Sequence, residues 1–293
     1  MNIGLKIGNV KYRNRSYIAR KINEEILLYS IPSGRNQATN NLNSTDNVVL
    51  NDKLFESIKE DHLSPEFSLD SDNDLEFLPC ILHPEKIVGV GFNYRQHADE
   101  TKTELGGNPV LFSKYSDAAA GHRQKIRIPE TVHNLDYEAE MAIVIGSHAF
   151  NVKEEESHNY IFGYCPANDL SARDLQFLTS QFLLGKTLPG FAPIGPYIST
   201  IDEVPDPQNL DISLKLNGET RQNSNTKNMI FTCNYLVSYI TRYFPLNAGD
   251  IILTGTPGGV IAGSPPEKRT WMKPGDVTEV IIEKLGTLLN EFT

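Results

Sequence analysis

In the stretch NLDYEAEMAIVIG (134–146), Asp136, Glu138 and Glu140 fall at every second position and lead directly into the apolar run Met141 to Ile145. On a β-strand, residues two apart point to the same side. That spacing sets the Glu138 and Glu140 carboxylates side by side, with Tyr137, Ala139 and Met141 on the opposite face. Two ionised carboxylates about 5 Å apart repel by roughly 3 kcal/mol at an effective dielectric near 20. Burial adds several kcal/mol per charge. Such a pair is tolerated if the face meets water, if one group stays protonated, or if a cation lies between them. A third acid, Asp169, sits in GYCPANDLSARD (163–174), where a strand is expected to end and a helix to begin. Alone it reads as a helix N-cap or first-turn acid. With the two glutamates it makes a three-carboxylate set with no Cys or His beside it, a combination suited to a hard divalent ion, Mg²⁺ or Mn²⁺.

Such a set needs a scaffold. From Leu82 onward, short β-branched runs recur between Gly, Pro, Asn and Asp: Lys86 to Gly91, Met141 to Gly146, Tyr160 to Tyr164, Leu210 to Leu216, Asp250 to Thr254 and Val277 to Ile282. These predict strands. Helical patterns are few, at Asp169 to Leu184 and Cys233 to Tyr243. Strands that do not alternate with helices argue against a doubly wound sheet. The expected fold is a β-rich α+β roll or barrel with a few flanking helices. Composition shifts near residue 80. The first part predicts short strands at Tyr17 to Ala19 and Ile26 to Tyr29, then turns rich in Asn, Ser and Asp (SGRNQATNNLNSTDN, SLDSDNDLEF). We therefore expect a small N-terminal domain over 1–80 and a main domain over 81–293.

The chain has 293 residues, 39% of them hydrophobic, and a formal net charge of −10. With a pI near 5.2, it lacks the basic surface that nucleic acid requires. It holds no apolar stretch of membrane-spanning length and opens without the apolar core of a secretory signal. The three cysteines, Cys80, Cys165 and Cys233, fit neither a disulfide framework nor a zinc knuckle. A cytoplasmic protein with buried, reduced thiols is expected.

Several segments resemble the fumarylacetoacetate hydrolase family: GFNYRQHADE (91–100), PVLFSKYSDAAAGH (109–122), LDYEAEMAIVIG (135–146), GYCPANDLSARDLQ (163–176), FLLGKTLPGFAPIGP (182–196), LNGETRQ (216–222) and GDIILTGTPGGV (249–260). They occur in the family's order between about Pro84 and Asn290. The resemblance implies a β-roll catalytic domain, a homodimer, and one divalent ion per subunit (Mg²⁺ or Mn²⁺) on Glu138, Glu140 and Asp169. It implies a small 2-oxo acid as substrate, chelated through its carboxylate and 2-oxo oxygen. It also implies roles for Lys186 and for a His97–Glu100 pair on a segment that orders over the substrate.

Chemistry gives each of these a task. Cleaving a 2,4-dioxo acid leaves a pyruvate enolate, and a Lewis acid with a cation such as Lys186 stabilises the developing charge. His97 is the expected general base for the attacking water, with Glu100, three residues on, orienting its ring. Lys114 matches a family lysine expected near the metal carboxylates. Gln176, two helical turns after Asp169, is expected to bond the substrate carboxylate. Arg173 is expected to pair with an acid and position Asp169, or to contact substrate. Thr256 offers a hydroxyl where a strand ends, or simply forms the turn. The Gly/Pro-rich GTPGGVIAGSPP lacks the Gly-Lys-Ser/Thr of a phosphate loop. One departure from the family pattern is Pro189, where an aspartate is common, which stiffens the loop after Lys186.

The leading expectation is a metal-dependent hydrolase cleaving a C–C bond in an acylpyruvate or fumarylacetoacetate-like acid. Oxaloacetate decarboxylation and isomerisation or hydration of 2-oxo acids use the same apparatus. A catalytically silent scaffold is the alternative of another class.

Overall fold

The computed structural model describes residues 4–30, 44–101 and 106–293. Residues 33–43 of the Asn/Ser-rich stretch lie outside the described residues. Three antiparallel strands open the chain, β1 (Lys6–Tyr12), β2 (Arg15–Ile22) and β3 (Glu25–Tyr29), followed by helices α1 (Thr45–Val49) and α2 (Asp52–Lys59) and short strands β4 (Phe67–Leu69) and β5 (Glu76–Phe77). Next come β6 (Ile87–Gly91), α3 (Arg95–Glu100), β7 (Val110–Lys114), β8 (Ala119–Ala120), β9 (Leu135–Asp136), β10 (Ala139–Ile145) and β11 (Ile161–Asn168). After β12 (Ser171–Ala172), α4 (Arg173–Gln176) and α5 (Leu183–Lys186) come β13 (Ala192–Pro193), β14 (Ile198–Thr200), β15 (Asp211–Leu216) and β16 (Glu219–Asn225). The chain closes with α6 (Cys233–Thr241), β17 (Ile251–Leu253), β18 (Val277–Ile282) and β19 (Gly286–Glu291).

Eleven strands form one sheet in the order β4-β3-β2-β1-β14-β11-β10-β17-β6-β7, with β5 paired to β1. The N-terminal strands thus continue the main sheet through the β1–β14 pairing. A second, four-stranded sheet runs β16-β15-β18-β19. The architecture is the strand-dominated α+β type that the sequence predicts.

The unbroken apolar run of β10 has a simple cause. Met141, Ile143 and Ile145 enter the core shared with the second sheet and α6. Ala142 and Val144 face the opposite core, together with Ile7, Ile18 and Ile58 of the N-terminal part. A central strand covered on both faces needs apolar residues at every position.

Two expectations fail locally. Asp169 to Leu184 is not one helix. Ser171 and Ala172 pair with Asp136 and Leu135, which holds the backbone extended. Only the four-residue turns α4 and α5 follow, so Asp169 belongs to the β11–β12 connection and caps no helix. The two turns pack closely around Gly185, where an added Cβ would lie 2.5 Å from the Gln176 amide nitrogen. Glu138, in turn, precedes β10 and lies outside the ladder. Its N–H donates to the Asn168 side chain (3.0 Å), and its carbonyl accepts from the Asp169 N–H (2.9 Å). This break beside the paired strands brings Glu138 and Asp169 together.

Candidate active site

The elements that meet at the ends of β6, β10 and β11 enclose a cleft of about 160 Å³. Glu138 and Glu140 line it, with His97, Arg173, Gln176, Lys186 and Thr256. Phe92, Phe112, Phe177 and Phe182 make its apolar wall, with Phe182 meeting the other three rings edge-on.

Glu138, Glu140 and Asp169 are all buried and offer oxygens within 4.8 Å of one another. Their surroundings differ. Asp169 is enclosed, one oxygen on Lys114 and the other on Lys186 at 2.5 Å. Glu138 accepts from Lys186 at 2.8 Å and pairs with Arg173 at 2.7 Å. Burial alone would raise the Glu138 pKa, but Lys186, Arg173 and His97 together hold it well below the carboxylate range. Glu140 accepts one hydrogen bond, from the Gly255 N–H at 2.7 Å. Among the described residues it pairs with no cation. Burial, then the charges of Asp169 and Glu138, push its pKa well above the usual value.

That imbalance tests whether the residues fit a divalent ion. The donor set is all oxygen, and one of its three carboxylates is buried without a counter-charge, which a cation among them would supply. The residues fit.

Three basic residues surround the acids. Burial depresses the Lys114 pKa to about 8 against the opposing pull of Asp169. Burial works the same way on Lys186, but Asp169 and Glu138 outweigh it and its pKa is raised. The Lys186 ammonium also lies 4.8 Å from the centre of the Phe112 ring. Arg173 donates to Asp136 at 2.9 Å and to Gln176 at 2.9 Å. Its acidic partners are Asp136 and Glu138.

On the facing side, α3 carries His97 and Glu100. The expected pairing forms, with His97 Nδ1 2.9 Å from Glu100 Oε1. The imidazole stacks on Phe92, and the other Glu100 oxygen accepts from the Gly259 N–H at 2.8 Å. Gly263 lets this carboxylate approach, since a Cβ there would lie 2.5 Å from Glu100 Cδ.

The structure thus brings His97, Glu138, Glu140, Arg173, Gln176, Lys186 and Thr256 to the cleft and Glu100 directly behind His97. Lys114 is not at the cleft; its side chain is fully buried against Asp169 and the Leu170 carbonyl. Pro189 lies in an exposed turn after α5, outside the cleft wall.

Sequence reasoning missed two supports. Asp136 accepts from Arg173 and from the backbone N–H groups of Tyr137, Ile261 and Ala262; its place in the acidic alternation was the available signal. Gln222 accepts from the Ala139 N–H and donates to Thr256 Oγ1 and the Pro257 carbonyl. A lone glutamine in LNGETRQ carries no comparable signal.

Residues 86–293 match the fumarylacetoacetate (FAA) hydrolase C-terminal family. The chain is 40% identical over 223 residues to oxaloacetate tautomerase fahd2, mitochondrial, of Xenopus laevis, covering 75% of this chain and 69% of that protein. In structure it resembles a fumarylacetoacetate hydrolase from Exiguobacterium antarcticum, with a TM-score of 0.80, 31% identity and 99% of each chain covered. It also resembles 2-hydroxyhepta-2,4-diene-1,7-dioate isomerase from Mycobacterium marinum, with a TM-score of 0.75, 26% identity and coverage of 99% and 98%. On the strength of the matched segment and these relatives, the chain belongs to the fumarylacetoacetate hydrolase family.

Proposed function

We propose that this protein is a divalent-metal-dependent enzyme that interconverts the enol and keto forms of a short 2-oxo dicarboxylic acid of the oxaloacetate type. The observation that carries the reading is the convergence of Glu138, Glu140 and Asp169 beside Lys186, with the His97–Glu100 pair across the same small cleft. The relative named oxaloacetate tautomerase supports this choice among the chemistries open to the family. A homodimer acting on a small acid in the cytoplasm completes the proposal.

Held by the three carboxylates, Mg²⁺ or Mn²⁺ would act as a Lewis acid on the 2-oxo acid head. The protein's own groups do the rest. Lys186, a buried cation at the cleft floor, stabilises negative charge on the enolate oxygen. Thr256 accepts from Gln222, which leaves its own O–H to donate to the substrate carboxylate. Gln176 spends its amide oxygen on Arg173, so its NH₂ faces the same task. Glu100 on Nδ1 leaves His97 Nε2 as the basic nitrogen; it takes the C3 proton of the keto form and passes it to the enolate oxygen to give the enol, and in the reverse direction it takes the enol O–H proton and passes it to C3. The phenylalanine wall lowers the polarity beside the acids and Lys186, which strengthens each of these interactions.

Enol loss from oxaloacetate, followed with and without Mg²⁺, tests the reading. Metal-dependent acceleration is expected, and His97→Ala should lower it about 100-fold. A second reading, hydrolysis of an acylpyruvate, is favoured by the likeness to the Exiguobacterium hydrolase and uses His97 as base toward water. Metal-dependent pyruvate release from acetylpyruvate, with oxaloacetate enol unaffected, would replace the first reading by the second.

A further inference from the structure

The catalytic cleft has a neighbour. A second chamber of about 660 Å³ shares Thr101, Arg173, Phe177 and Ala262 with it and extends to Asn134, Arg269 and Trp271. Among the described residues, two arginines line this chamber. Arg173 is committed to Asp136, Glu138 and Gln176. Arg269 differs: its Nε donates to the Ser264 carbonyl and its Nη2 to the Ala262 carbonyl, both at 2.8 Å. These two bonds fix the guanidinium on the wall. Nη1 has no partner among the described residues, and no carboxylate there lies within ion-pair distance of Arg269. Among the described residues, Glu100 is the only acid lining the chamber, and its oxygens are engaged by His97 and the Gly259 N–H.

We propose that Arg269 is a specificity-determining residue for a second substrate beside the short acid above: it receives the far-end carboxylate of a 2-oxo acid longer than four carbons, whose head occupies the catalytic cleft. The inference rests on the 2-oxo acid reading above and extends it to the tail. A fixed guanidinium with a free Nη1 and no carboxylate partner among the described residues is suited to a substrate carboxylate, through charge-assisted bonds. The indole of Trp271, 6.0 Å from the guanidinium, and Phe177 give the intervening methylenes an apolar path. The cleft itself has room for a short head; the adjoining chamber has room for a tail.

The test uses two probes with the same head, 2,4-dioxoheptanedioate, which ends in a carboxylate, and 2,4-dioxoheptanoate, which ends in a methyl group. Calorimetric binding to the Mg²⁺-loaded full-length protein should favour the charged tail by about tenfold or more. Arg269→Gln should bring the two dissociation constants within about twofold by weakening the charged probe alone, and Arg269→Lys should restore part of the preference. Equal binding of both probes by the unaltered protein overturns the role of Arg269 and leaves the 2-oxo acid reading standing. Equal weakening of both probes by Arg269→Gln also overturns it, because that pattern marks loosening of the 262–269 loop. Failure of both probes to bind rejects the head-group reading, and the tail assignment with it.

Discussion

Asp136 and Glu140 sit four residues apart, both out of solvent, in opposite circumstances. Asp136 receives three backbone N–H groups and the Arg173 guanidinium. Glu140 receives one backbone N–H and faces two other acids. The first is a carboxylate whose charge is answered within the fold, so it ties Arg173 and the 261–262 turn to the cleft wall. The second is a charge that the fold alone leaves unanswered. Desolvation of an unpaired carboxylate opposes folding by several kcal/mol. A position that retains one suits a partner outside the chain, and with the neighbouring oxygens of Glu138 and Asp169 it makes a donor set that a hard cation fits.

Changing either acid should produce opposite signatures. Glu140→Gln is expected to remove at least about 1,000-fold of the metal-dependent activity, because a neutral amide is a poor ligand for Mg²⁺. The same change should leave the metal-free protein at least as stable as before, since a destabilising charge is gone. The sign with pH follows from the raised Glu140 pKa. The metal-free folded state holds this proton more tightly than the unfolded chain, so stability falls as pH rises above the ordinary glutamate range. Thermal melts in a chelator across the acid range would show that decline in the unaltered protein and its loss in the variant.

Asp136→Ala is expected to do the reverse. It strands part of the Arg173 charge and three buried N–H groups, and should destabilise the fold by about 3–5 kcal/mol. Denaturant titration measures this, and a loss below about 1 kcal/mol would show that the anchor is weaker than its contacts suggest.

His122 offers a third solution to burial, neutrality. Its Nδ1 accepts from the Leu289 N–H at 3.1 Å and its ring meets Phe77 edge-on, at the junction of the N-terminal strands with β19. Burial, with Arg123 and Lys21 adding to it against Asp72, lowers its pKa to about 4. The unfolded chain takes up this proton near the ordinary histidine value, so the stability it contributes is present above about pH 6.5 and is lost as pH falls toward 4. The swing should be no more than about 3 kcal/mol. Unfolding curves at neutral pH and near pH 4.5 should differ by that amount, and His122→Gln should flatten the difference.

The sequence made some of this legible and hid the rest for physical reasons. The apolar run Met141 to Ile145 marked an interior strand, and β10 is one, although the acidic alternation before it is broken at Glu138. The i to i+3 spacing of His97 and Glu100 placed them on one turn of α3. Helical periodicity after Asp169 misled, because pairing of Ser171 and Ala172 with β9 outweighs local propensity over so short a stretch. Family position put Lys114 near the acids correctly, yet no pattern could show that it approaches Asp169 from outside the cleft. The support from Gln222 joins residues more than 80 positions apart, and such a contact leaves no trace in local spacing.

The most direct test of the central claim is anomalous diffraction from crystals of the protein grown with Mn²⁺. One manganese peak per chain is expected, enclosed by the carboxylates of Glu138, Glu140 and Asp169, and no such peak in crystals of the Glu140→Gln protein. A manganese peak elsewhere, or none at that position under saturating Mn²⁺, would contradict that claim.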